Sequence, residues 1–197
     1  MAEIRPYRAR DLDELYAICL ATGDAGQDAT HLYRDPGLLG HVYAAPYGIF
    51  APDCCFVAQD GQGVCGYVIG TRDTAAFEER LEREWWPQLR ARYPKPAKSP
   101  TPTPDERMQR LIHKPDRTPR RIWERYPAHL HIDLLPRLQG QGFGRRMIGH
   151  WREAVGMPVH LGVGLRNERA VRFYRACGFH EIERYGAPYD VIVFGLA

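Results

Sequence analysis

The stretch richest in chemical possibility is Gln139-Gly140-Gln141-Gly142-Phe143-Gly144-Arg145-Arg146. It follows a β-rich run and opens an amphipathic one. Glycines let a backbone come close to a ligand and tolerate positive φ. Several N–H groups then point outward at the positive end of a helix dipole, which suits a phosphate or pyrophosphate. Arg145 and Arg146 add positive charge. Two familiar phosphate loops do not fit. Counted from Gly140, a dinucleotide fingerprint needs glycine where Arg145 stands, and Gly-Lys-Ser/Thr occurs nowhere. A tightly packed glycine turn without a ligand explains the cluster as well as a phosphate site does.

A second constellation lies just before the loop. His129, His131 and Asp133 alternate along one strand, so their side chains share a face. A buried central strand normally reads apolar on both sides. Three polar residues on one face imply a wet cavity or a hydrogen-bonded network. Three readings remain open. The residues act as a base or proton relay for an amine, with Asp133 as the candidate base. They form a His-x-His-x-Asp metal site, for which no fourth ligand is evident, so no metal is expected. Or they are bonded structurally to the segment 72–127.

These residues need elements to hold them. Ile4 to Tyr7 reads as a strand. Asp11 suits a helix N-cap with Glu14 three residues on as in a capping box, and Leu12, Leu15, Ile18 and Cys19 supply the apolar face. Asp35-Pro36 reads as a second helix start. Cys54 to Ala58 and Val64 to Thr71 are strands joined by a turn at Asp60-Gly61-Gln62-Gly63. Phe77, Leu81, Trp85 and Leu89 recur on one helical face between Thr74 and Arg92. Pro94, Pro96, Pro100, Pro102 and Pro104 forbid regular structure. A short helix is predicted over 105–113. Residues 72–127 therefore read as an insertion, whose Trp85, Trp86, Trp123 and Tyr126 either line an acceptor pocket or pin it to the core; pinning is favoured, because aromatic burial would order such a segment. Beyond it lie a strand from His129 to Leu135, a helix with Phe143, Met147, Ile148, Trp151 and Val155 inward, and a strand from Val159 to Leu165. A helix capped by Asn167 follows, then a hairpin of Phe179–Tyr185 and Asp190–Leu196 around Gly186-Ala187-Pro188. The order predicts a mixed α/β or α+β layer fold, one domain over 1–197.

Composition narrows the classes. The chain has 197 residues, 44% apolar and 26% charged, enough for a sizeable core and unlike a disordered chain. No apolar run approaches a membrane span and no signal peptide is visible, so a cytoplasmic location is expected. The odd count of 5 cysteines without a CxxC pair fits reduced thiols. A net charge of +3 is too balanced for a dedicated nucleic-acid binder. Neither nucleic acid nor a membrane is expected as a partner.

The last third resembles the GCN5-related N-acetyltransferase superfamily. Gln139-x-x-Gly142-x-Gly144 matches that family's signature of Gln/Arg-x-x-Gly-x-Gly/Ala after a strand. Asn167, Ala170, Phe173-Tyr174 and Gly178-Phe179 match its second block. The resemblance is clear over residues 129–196 and looser back to residue 3, with 72–127 outside it. His-Leu-His-Ile-Asp-Leu-Leu-Pro and Val-His-Leu-Gly-Val-Gly are similar to a subgroup of stand-alone bacterial proteins akin to the acetyltransferase-like C-terminal domain of human-type O-GlcNAcase. The resemblance implies a mostly antiparallel sheet with a splayed parallel strand pair, flanked by helices. It implies acetyl-CoA as co-substrate. The pyrophosphate would rest on the backbone of Gln139, Gly140, Gln141, Gly142, Phe143, Gly144 and Arg145. Pantetheine would pair with backbone near Leu134 and Leu135, and Asn167 would bond the cofactor. Tyr174 would stand near the sulfur as a general acid; without the family motif it reads as a core aromatic. Counting back from Gln139, the strand position that some family members use for a base falls on Ala128 or Leu130, neither of which is basic. The implied function is acetyl-CoA-dependent N-acetylation of a small-molecule or peptide amine by direct attack on the thioester. The alternative is a catalytically inactive acetyl-CoA-binding protein or interaction module. The state expected is a monomer or homodimer.

Overall fold

Seven strands form one sheet in the order β1-β2-β3-β4-β5-β7-β6. They are β1 (Glu3–Pro6), β2 (Cys55–Asp60), β3 (Gly63–Thr71), β4 (Ala128–Leu134), β5 (Val159–Gly164), β6 (His180–Tyr185) and β7 (Val191–Leu196). The computed structural model describes residues 2–187 and 190–197. Every neighbouring pair is antiparallel except β4–β5, which is parallel and pairs only at Ala128↔Val159 and His129↔His160. The expected mixed sheet with one splayed parallel pair is thus present. The expected β6–β7 turn at 186–188 includes Pro188, which lies outside the described residues.

Helices cover both faces. On one side lie α1 (Leu12–Ala21), α2 (Leu38–Tyr43), α3 (Ala45–Phe50), α4 (Thr74–Glu84), α5 (Trp86–Arg92), α6 (Pro104–His113) and the short α7 (Arg120–Trp123). Leu15, Ile18, Leu38, Tyr47, Tyr67, Phe77, Leu81, Trp85, Leu89 and Ile112 share one apolar core there. The segment 72–127 packs into that core through Trp85 and Trp86, with Trp85 Nε1 donating to His41 O at 2.9 Å, while Tyr126 is buried beside Gly195 and His180. Trp123 is only partly buried. On the other side α8 (Phe143–Val155) and α9 (Glu168–Ala176) cover β4, β5 and β7. The inward face of α8 is the expected Phe143, Met147, Ile148, Trp151 and Val155.

Local expectations fail in four places. Asp11 precedes α1 but makes no forward cap. Its carboxylate instead accepts both Arg5 guanidinium nitrogens, at 2.6 and 2.9 Å, and the Arg8 N–H at 2.8 Å. A charge-assisted, bidentate pair outcompetes a single cap bond, so the Asp11/Glu14 capping box does not form. The helix expected at Asp35-Pro36 begins at Leu38, because Asp35 accepts the Gly37 N–H in a tight turn. The helix expected from Thr74 to Arg92 breaks at Trp85. Pro87 lacks an N–H and its ring clashes with the preceding turn. Helix α3, with a proline at its start, was not signalled by any apolar period. By contrast α6 opens as a full capping box of Thr103 and Glu106.

β4 runs against β3 without a register shift from Gly66↔Leu134 to Thr71↔His129. Its alternation is therefore undisturbed. Ala128 and Leu130 enter the α8 core, and His129, His131 and Asp133 turn to the side of Tyr47, Tyr67 and Phe77.

Candidate functional site

The splayed strand pair creates an opening whose walls are backbone. Leu135 N–H donates to Cys65 O on β3, and Leu135 O accepts from Leu138. In an antiparallel ladder bonding alternates between the two edges. The N–H and C=O groups of Leu130, Ile132 and Leu134 thus face β5, as Ala128 N does in donating to Pro158 O at 3.2 Å. Past His129 no β5 residue pairs with them. Both backbone groups of Leu135 are occupied. Leu134 O accepts from Gln139 Nε2 at 2.6 Å, which leaves the Leu134 and Ile132 N–H groups turned into the gap. Opposite, a Cβ added to Gly164 would meet nothing within 4 Å, and one on Gly162 would meet only Val191 at 3.5 Å. The gap has room.

The glycine loop closes the gap's end. Gly140 and Gly142 have φ of +75° and +77°, and a Cβ at either would meet nothing. They are required by the backbone, with open space outside. Gly142 is the N-cap of α8 and no side chain caps the helix, so the first-turn N–H groups lack an intrahelical partner. Gly144 serves packing: a Cβ there would press on Phe173 Cζ at 2.9 Å. Gln141 Nε2 donates to Arg137 O and Arg145 Nη2 to Ala176 O, so both side chains brace the loop rather than point free. The Arg146 guanidinium lies over the Phe143 ring at 4.5 Å.

Asn167 caps α9 as expected, accepting the Ala170 N–H at 3.0 Å. The loop after α1 reaches this point, with Arg166 paired to Asp24 at 2.8 Å. Tyr174 is buried among Phe173, Phe179 and Phe194. Its hydroxyl has no hydrogen-bond partner among the described residues, yet it is not a sealed, unsatisfied atom. It therefore reaches open space. Burial, then the Asp133 charge, push its phenol well above the ordinary range.

Asp133 accepts the Tyr67 hydroxyl at 2.6 Å. Burial raises its pKa, while the hydrogen bond from Tyr67 acts against this. His129 and His131 both bond the Tyr47 hydroxyl, at 2.8 and 3.0 Å, and His129 Nδ1 meets Thr74 Oγ1 at 2.8 Å. His129 is thus bonded to the inserted segment, as one of the three readings required. His160, paired with His129 across the strands, meets Tyr126 O. Burial lowers all three imidazoles, with neighbouring histidines adding to it at His129 and His131, and takes His131 to about 4. Among the described residues no three His, Cys, Asp or Glu are arranged to hold a metal ion. Tyr43, 37% exposed, lies beside His131 with ring centroids 6.2 Å apart.

Held neutral, these histidines make folding pH-dependent. The unfolded chain takes up protons below about 6.5 and the folded chain does not until about 4 at His131, so stability falls with pH across that window. From His131 alone, unfolding free energy is expected to be about 2 kcal/mol lower at pH 5 than at pH 7. Urea midpoints at the two pH values check this; equal midpoints contradict a neutral buried imidazole.

Tyr47, Tyr67, Tyr43 and Thr74 were not singled out in the sequence. Of the arginines at 117, 120, 121 and 125, the first three pair with Glu78 and Glu82, Glu124 and Glu183 respectively. That pattern is a solvated charged face. No described helix is long and apolar enough to cross a membrane.

Comparison with known proteins adds four findings. A family model described as an acetyltransferase (GNAT) domain matches residues 118–181. The crystal structure of SsHAT is 39% identical, superposes with a TM-score of 0.87, and covers 99% of this chain and 97% of that one. Protein O-GlcNAcase of Rattus norvegicus is 25% identical over 198 residues, which are 98% of this chain but 22% of that protein. The chain therefore spans about a fifth of the length of that curated relative. A diaminobutyrate acetyltransferase from Paenibacillus lautus, solved with its substrate L-2,4-diaminobutyric acid and coenzyme A, shares the fold at a TM-score of 0.57 and 12% identity, covering 99% of this chain and 93% of that one.

Proposed function

Since the chain belongs to the GCN5-related N-acetyltransferase superfamily, we propose that it transfers the acetyl group of acetyl-CoA to an amine in a single ternary complex. The observation that carries this reading is the splayed β4–β5 gap, lined by unpartnered strand amides and ending at an uncapped, glycine-built helix N-terminus. An extended amide-bearing chain can pair with such a strand edge, and a pyrophosphate fits the helix end. Gln139, Gly140, Gln141, Gly142, Phe143 and Gly144 would hold the pyrophosphate, with the Arg145 backbone in the same first turn. Leu134 and Ile132 would pair the pantetheine, and Asn167 would bond the cofactor through its remaining amide.

The thioester supplies an activated acetyl group. The protein's part is position and protons. A strand N–H turned into the gap polarises the carbonyl. Asp133, a carboxylate whose proton affinity is raised by burial, takes a proton from the amine as nitrogen bonds to carbon. The carbon–sulfur bond breaks, and Tyr174 gives its proton to the departing sulfur. One proton leaves the amine and one reaches the thiol; Asp133 and Tyr174 then exchange protons with water.

The test is CoA thiol release from acetyl-CoA over a panel of amines, with the acetylated amine identified by mass. Transfer to at least one amine well above hydrolysis is expected. Saturable acetyl-CoA binding with no transfer to any amine would contradict the enzymatic reading.

A further inference from the structure

The hydrogen bonds around Tyr47 have only one consistent direction. Thr74 Oγ1 lies 2.6 Å from Pro127 O. A carbonyl cannot donate, so the threonine proton is spent there. At 2.8 Å from the same oxygen, His129 Nδ1 must then carry a proton and donate. His129 is neutral, so its Nε2 is bare and accepts the single Tyr47 proton. Tyr47 oxygen has no second proton, so His131 Nε2 must donate to it. His131 is neutral too, and its Nδ1 is left as a lone pair. That atom has no partner among the described residues, and it is not sealed, because no buried side-chain nitrogen or oxygen is unsatisfied. The Tyr43 ring, itself exposed, lies beside the His131 ring.

We propose that His131 Nδ1 reads a hydroxyl on the acceptor, so that the favoured acceptors are amino alcohols with hydroxyl and amine two or three carbons apart. An acceptor-only atom calls for a donor. Asp133 lies two residues along the same face, roughly 7 Å on. With the amine at Asp133, a hydroxyl about two or three carbons away reaches His131. A second ammonium is disfavoured there. His129, His131 and His160 cluster with no carboxylate among the described residues bonded to any of them, and Asp133 is engaged by Tyr67 and the amine. Tyr47, His129 and Thr74 are positioning residues that fix the polarity of His131. The inference rests on the acetyl-transfer reading for the amine's place.

The experiment compares kcat/KM for 3-amino-1-propanol and n-propylamine, with the full chain and acetyl-CoA. A preference of at least tenfold for the amino alcohol is expected. The ratio should fall to near one in His131→Phe, and fall in Thr74→Val, which frees the chain of bonds to reverse. Equal kcat/KM in the parent, or an undiminished ratio in His131→Phe, would overturn the inference while leaving acetyl transfer standing. Nitrogen-15 spectra of the histidine rings guard against a misfolded variant. His131 should show bare Nδ1 and protonated Nε2 at pH 7, with Nδ1 shifting on 3-amino-1-propanol and not on n-propylamine. A protonated Nδ1 would overturn the inference. That shift without acetylation of either amine would overturn the transfer reading and the acceptor preference built on it, leaving His131 Nδ1 as a hydroxyl-binding atom; acetylation without the shift would overturn the role of His131 alone.

Discussion

A Tyr174→Phe protein is expected to fold as the parent does and to turn over at least about 100-fold more slowly, the lower end of what a positioned general acid contributes. The physical grounds separate the two outcomes cleanly. The ring is what packs, against Phe173, Phe179 and Phe194. The hydroxyl bonds no described residue, so its loss leaves no orphaned partner. Acetyl-CoA affinity should therefore stay within a few-fold and the thermal midpoint within a degree or two, while kcat collapses. A thiolate leaving without a proton is the poorer leaving group, and the deficit should shrink for thioesters of more acidic thiols. Unchanged kcat would remove Tyr174 from the chemistry and return it to the core.

The largest expected effect on folding is at Gly70. A Cβ there would collide with the His129 carbonyl and stand 2.7 Å from Trp151 Cζ2. The first obstacle is backbone of the neighbouring strand and the second a fully buried indole whose Nε1 donates to Cys54 O. Neither can swing aside as a flexible chain end would. Gly70→Ala should therefore cost about 3 kcal/mol, at the upper end of overpacking penalties. It should also disturb His129, and with it the Tyr47 bonds. Gly164→Ala is the control, because its Cβ meets nothing. Denaturant unfolding of the two proteins decides the point, and similar midpoints would contradict the close strand approach.

Much of this was legible because it is local. The β2–β3 turn, the inward face of α8 and the Asn167 cap follow from patterns within a few residues. The loop motif placed Gly140 and Gly142 where the backbone needs glycine. Hidden features depend on distant partners. Tyr47 lies 82 and 84 residues from the histidines it joins, and Tyr67 lies 66 from Asp133. Nothing in a six-residue helix opening with Ala-Pro announces such pairings. Asp11 shows the same limit from the other side. Its spacing to Glu14 promised a cap, and Arg5 on the preceding strand claimed it first. The polar face of β4 was readable as polar, while the direction of its hydrogen bonds required Pro127 and Thr74 to be in place.

The central claim is that acetyl-CoA lies in the β4–β5 gap with its pyrophosphate on the loop at Gly142. Calorimetric titration of acetyl-CoA into the parent and into Gly142→Glu tests it directly, with circular dichroism to show that both are folded. Gly142 has φ of +77°, and a glutamate there would both strain the turn and set a negative charge at the helix end. Saturable binding on the order of micromolar in the parent, weakened at least about 100-fold in the variant, is the predicted result. No saturable binding by the parent, or equal affinity in the two proteins, would contradict the account.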